Sequence, residues 1–164
     1  MTKVSEVTVG SGGAASIEFT NIPQTGKDLL ILVSAREVDT HSSDFGVYFG
    51  INSNIGGNTR ALLGTGSAAS SANNSSFLWS YSGNPGSGVT LNTFGNISAY
   101  IANYANSGTK SMSIDAVGEN NATAAEQAIV AAQPTNTAAI TSLAVWTNNL
   151  NFVQHSTASL YIVS

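Results

Sequence analysis

The sequence predicts an all-β protein, an antiparallel β-sandwich of jelly-roll type with about eight to ten strands. Two observations lead there. Short stretches in which apolar and polar residues alternate recur along all 164 residues, and each is bounded by a cluster of Gly, Asn or Ser. No linker, repeat or composition shift divides the chain, so residues 1–164 are expected to form one domain with a core large enough to do without disulfides.

Val4 to Val9 is the first strand signal. The turn Gly10-Ser11-Gly12-Gly13 follows, and Ser16 to Thr20 then alternates Ile17 and Phe19 against Ser16, Glu18 and Thr20, so the two segments read as a hairpin. Beyond the turn Asn21 to Gly26, Leu29 to Val33 is apolar without a break, the pattern of a central strand covered on both faces. Phe45, Val47, Phe49 and Ile51 share one face of the next strand, which should be core, and Gly46, Tyr48 and Gly50 share the other. Arg60 to Leu63 gives a short strand, Gly64 to Ser76 a long loop of small polar residues, and Phe77 to Tyr81 a further strand. Ser82-Gly83-Asn84-Pro85-Gly86-Ser87-Gly88 is the strongest turn signal in the chain. Four later strands are marked by Ile97, Ala99 and Ile101, by Met112 and Ile114, by Leu143 and Val145, and by Leu160 and Ile162.

One segment carries opposed signals. Thr123-Ala124-Ala125-Glu126 matches a capping box and opens an alanine-rich stretch that stops before Pro134, which favours helix. Its position between two strands and the small number of apolar residues, Ile129 and Val130, favour strand over 123–132, the reading adopted.

Composition narrows the function. Only 9% of residues are charged, about a third of the usual share, against 42% hydrophobic. The polar surface is therefore built from Ser, Thr, Asn and Gly, which suits contact with other protein. A net charge of −4 and scattered Lys3, Lys27, Arg36, Arg60 and Lys110 argue against nucleic acid and anionic lipid. The longest apolar run is far shorter than a membrane span. The amino terminus lacks the apolar core of a secretory signal, so synthesis in the cytoplasm is expected, and the absence of cysteine excludes thiolate chemistry.

No catalytic, cofactor or metal site is predicted. Gly10-Ser11-Gly12-Gly13-Ala14-Ala15 fits a dinucleotide fingerprint formally, but a strand follows where the motif needs a helix. Asp39, His41 and Asp44 offer metal-ligating groups in a hydrophilic loop without the context of a site, and His155 has no acidic neighbour. The serine-hydrolase elbow G-x-S-x-G is absent. Asp115 and Glu119 are the one carboxylate pair to weigh for glycoside cleavage, with solvation as the plainer role. Trp79, Tyr81, Tyr100 and Tyr104 are the aromatics read as lying near loops, where they would stack on sugars or anchor an interface, unless they are core.

Several segments resemble a family of small virion proteins of tailed bacteriophages. They are Val7 to Pro23, Asp28 to Arg36, Ile101 to Ala105, Lys110 to Asp115, Glu119 to Ala124, Thr137 to Leu143 and Ser156 to Tyr161, with the departure greatest between Arg60 and Trp79. The resemblance implies a structural β-sandwich of the virion, made in the host cytoplasm, with no catalytic residue to carry over. On that basis the first expectation is a capsid decoration or cement protein that binds the major capsid protein, or another virion protein, as a homo-dimer or homo-trimer. The alternative is a tail or fibre module that recognises host surface glycan through its aromatics, and an enzyme acting on cell-wall sugars ranks third.

Overall fold

The computed structural model describes residues 1–38, 44–65, 68–86, 88–120, 124–148 and 150–164. Twelve strands and no helix occur among them. In chain order they are β1 (Thr2–Thr8), β2 (Ser16–Phe19), β3 (Asp28–Ala35), β4 (Asp44–Ile51), β5 (Gly57–Gly64), β6 (Ala69–Asn74), β7 (Leu78–Pro85), β8 (Gly95–Ile101), β9 (Met112–Asn120), β10 (Ala124–Pro134), β11 (Leu143–Trp146) and β12 (Thr157–Val163).

All pairings are antiparallel. An eight-stranded sheet runs β1-β12-β3-β8-β9-β10-β5-β6, and a four-stranded sheet, β2-β11-β4-β7, packs on it. Without the hairpin strands β5, β6, β9 and β10, the chain passes from one sheet to the other at every step except β4 to β7, which are neighbours in the small sheet. The large sheet then reads β1-β12-β3-β8 and the small one β2-β11-β4-β7. The two hairpins join through the β5–β10 pairing and widen the large sheet on one side only.

Period-two patterning explains the layers. Leu29, Ile31 and Val33 of β3, Val47, Phe49 and Ile51 of β4, and Ile97, Ala99 and Ile101 of β8 all point between the sheets and are buried. Phe152, on the connection into β12, is fully buried too and bridges both Ala14 and Glu37. The segment with opposed signals is strand: Ala124 to Pro134 pairs with β9 on one side and β5 on the other. Two flanking ladders outweigh alanine's helical preference, while Thr123 itself lies outside the described residues.

Four expectations are corrected. The strands number twelve, not eight to ten, chiefly because the stretch read as a loop, Gly64 to Ser76, holds β6, a sheet edge whose small polar residues carry no hydrophobic period. The segments read as a first hairpin lie in different sheets, β1 against β12 and β2 against β11, partners from the other end of the chain that no local signal reveals. The turn signal at Ser82 to Gly88 starts too early, since β7 continues to Pro85, and a proline is tolerated there because β7 is an edge. Finally, β3 is interior to its sheet but covered on one face only, leaving Leu32 39% exposed on the other.

At one corner the two sheets meet backbone to backbone. Gly83 of β7 has φ +92°, and a Cβ there would collide with the Ile97 side chain, while a Cβ on Gly95 of β8 would collide with the Gly83 backbone. Gly83→Ala combines a left-handed backbone with an overpacked contact, and should destabilise the fold by roughly 3 kcal/mol. Urea unfolding checks this, with Gly10→Ala, where nothing lies within 4 Å, as the tolerated control.

Candidate functional site

The outer face of the small sheet carries an aromatic cluster that alternation on β4 makes room for. Val47, Phe49 and Ile51 turn inward, so Gly46, Tyr48 and Gly50 turn outward. Both glycines are seats. The Trp146 ring of β11 lies where a side chain of Gly50 would stand, and Trp79 Nε1 of β7 lies where one of Gly46 would stand. Two indoles can lie against the sheet on either side of Tyr48 because these two positions have no Cβ.

A bulge in β7 shapes the same face. Gly46 pairs with Gly83 and Tyr48 with Trp79, so Ser80, Tyr81 and Ser82 all stand opposite Val47. Ser80 replaces the broken ladder: its Oγ accepts from Val47 N–H at 2.8 Å and donates to Ser82 O at 2.8 Å. Tyr81 has φ +65° in the bulge, and its hydroxyl accepts from Thr59 Oγ1 at 3.3 Å. The rings then form a continuous series. Trp79 stacks on Tyr81 with centroids 4.3 Å apart and on Tyr48 at 5.9 Å, and Phe77 meets Tyr48 edge-on at 5.6 Å.

Beside this series lies a cavity of about 400 Å³ lined by Tyr48, Ile55, Phe77, Trp146, Thr147 and Asn148. None of the six is charged. The Tyr48 phenol titrates above its usual value, first because it is partly buried and second because Glu37 is nearby, so it stays a neutral hydroxyl at physiological pH. Thr147 Oγ1 donates to Leu150 O at 2.5 Å and accepts from Leu150 N–H at 3.2 Å, which ties Thr147 to Leu150 at the rim.

The four aromatics singled out in the sequence separate here. Trp79 and Tyr81 come together, but as the support behind Tyr48 rather than as cavity lining. Tyr100 is on the outer face of the other sheet, where its hydroxyl donates to Asp28 Oδ2 at 2.5 Å. Tyr104 is 0% exposed, its hydroxyl donating to Pro23 O and accepting from Gly26 N–H, so it anchors the turn before β3 and meets no ligand. Sequence reading missed Tyr48, Phe77 and Trp146 as the lining aromatics. The available signal was the pair of glycines flanking Tyr48 on the non-core face of its strand.

A scan against protein families, a search of curated proteins and a search of solved structures return no match. Other candidate groups do not converge. Asp39 and His41 lie outside the described residues, and among the described ones no three His, Cys, Asp or Glu side chains gather. Asp115 and Glu119 share β9 four residues apart, about 13 Å along an extended strand, wider than the carboxylate pairs of glycosidases. Glu119 Oε1 accepts from Thr90 N–H at 3.0 Å. No helix among the described residues is long and apolar enough to cross a membrane.

In a Trp79→Phe background, Gly50→Ala should displace Trp146 from its seat, raising its acrylamide quenching while the far-ultraviolet β signal stays unchanged. Asp28 is held below the usual aspartate range, first by the Tyr100 hydroxyl and then by Asn103 N–H at 2.8 Å. A lowered folded value adds stability above the ordinary pKa near about 3.9, and that contribution disappears as pH falls through the folded value. Tyr100→Phe should therefore lower Tm at neutral pH, with the gap to the parent closing on acidification.

Proposed function

We propose that the chain is a non-catalytic adhesion module of a tailed-phage particle, and that the outer face of its small sheet stacks on uncharged sugar rings. The observation that carries this is the cavity lined by Tyr48, Phe77 and Trp146 without a charged side chain. Aromatic faces meet the apolar C–H faces of pyranoses, and Thr147 and Asn148 at the rim supply polar groups for hydroxyls. We read the strand order β1-β12-β3-β8 over β2-β11-β4-β7 as a jelly roll widened by two hairpins, an architecture used by both lectin and viral capsid domains, which supports the reading by analogy of fold.

A second reading is the capsid decoration or cement role, with the major capsid protein as partner. The broad outer face of the large sheet favours it, since Leu32, Tyr100, Val117 and Ile129 are exposed there beside Asp115 and Arg60, a mixed apolar and polar surface of the kind that lies against protein. Adding the chain to decoration-free expanded capsids separates the two, because cementing requires binding and sugar recognition does not.

Screening the parent against neutral oligosaccharides of bacterial surfaces tests the first reading. Tyr48→Ala or Trp146→Ala should weaken any binding found by about tenfold or more, the loss typical of removing an aromatic anchor. Tyr104→Phe should leave it intact. Absence of binding by the parent, or equal binding by the Tyr48→Ala and Trp146→Ala variants, contradicts it.

A further inference from the structure

Sheet edges are where a β-protein invites another strand, and folded proteins blunt them with charge, proline, bulges or shortness. Three of the four edges here are blunted. β1 carries Lys3 and Glu6, paired at 3.4 Å, and slips register against β12 between Lys3 and Ser5. β2 is four residues long and includes exposed Glu18. β7 has its bulge opposite Val47 and contains Pro85.

The fourth edge, β6, has none of these devices. Ala69-Ser70-Ser71-Ala72-Asn73-Asn74 pairs with β5 in unbroken register, from Gly64↔Ala69 to Thr59↔Asn74, and contains no charge and no proline. An antiparallel strand turns half of its backbone donors and acceptors to each side, so the side of β6 away from β5 presents an ordered row of them. Just inside this edge, Leu62 of β5 and Ile129 of β10 stand opposite each other and are 66% and 56% exposed, the two most exposed large apolar residues within any described strand.

We propose that β6 pairs antiparallel with β6 of a second copy of this chain across a two-fold axis, joining two large sheets edge to edge. The edge itself selects this occupant. Outward donors and acceptors of an antiparallel strand are self-complementary under a two-fold rotation, so one surface serves both partners. A foreign peptide would need side-chain pockets or opposite charge for its selection, and β6 offers only small neutral side chains. Although each chain carries a net charge of −4, two β6 strands meet with no like charges between them. A six-residue strand pair buries less than the roughly 1,200 Å² of a standard stable interface, so the dimer forms reversibly with concentration.

Light scattering on the eluting full chain across a concentration series tests this. The parent should shift from monomer to dimer as concentration rises. Ser71→Lys, which places a charge on the edge facing its own symmetry mate, should raise the dissociation constant at least tenfold without changing Tm. Leu91→Ser, at an exposed loop tip, should leave the shift as in the parent. A parent that stays monomeric throughout, or a Ser71→Lys variant that dimerises equally well, overturns the proposal. Because the chain has no cysteine, Ser71→Cys adds an independent readout: a disulfide-linked dimer under mild oxidation is expected, and none would count against the pairing.

Discussion

The alternation along β4 is the constraint on which both the core and the candidate site depend. Turning Val47, Phe49 and Ile51 inward places three fully buried side chains at the centre of the sandwich. Gly46, Tyr48 and Gly50 then have no choice but to face outward, and the missing side chains of the two glycines are what the indoles occupy. A shift of one residue in the register of β4 would expose Phe49 and bury Tyr48 together. Core packing, worth on the order of 3 to 5 kcal/mol for one buried phenylalanine, therefore also holds the aromatic cavity in shape.

The two sheets manage polarity differently. In the small sheet the outer face is aromatic, concave beside Tyr48 and free of charge in its cavity lining. In the large sheet it is broad, with scattered apolar residues between Ser and Asn. The two buried cations belong to the connections. Arg36 donates to Thr90 O and Thr93 O at 2.8 Å, and Lys110 Nζ donates to Asn106 O, Gly108 O and Thr137 O. Both titrate below their usual values because burial disfavours the charged form, and backbone carbonyls compensate them. A chain with so few charges spends two of its five cations on fixing loops, which leaves only Lys3 and Arg60 as cations on the strands.

Much of the fold was legible in the residues. Period two located the core strands β2, β4, β8 and β12, and the position of 124–134 between strands prevailed over its alanines. What escaped had physical reasons. β6 buries almost nothing, so its sequence needs no apolar period. The pairing of β1 with β12 spans nearly the whole chain, and hydrophobic patterning carries no information about partner. Leu29 to Val33 predicted two covered faces, where a single chain covers one. For the candidate site, lying near turn residues was a poor guide to exposure: of the four aromatics Tyr100 is exposed, Trp79 and Tyr81 are half-buried, and Tyr104 is buried with its hydroxyl on the turn before β3. Tyr48 and Trp146 lie on regular strands and look like ordinary outward positions until the glycines beside Tyr48 are read as spaces for rings.

The ligand proposed for the cavity beside Tyr48 is an uncharged sugar. The most direct test is to follow amide and indole N–H resonances of the labelled chain during titration with a neutral oligosaccharide that the screen returns. Binding in the cavity gives shifts concentrated at Tyr48, Ile55, Phe77, Thr147, Asn148 and the Trp146 indole, saturating together. Shifts centred on the large sheet or on the loop around Leu91, or a spectrum that does not change, would contradict it.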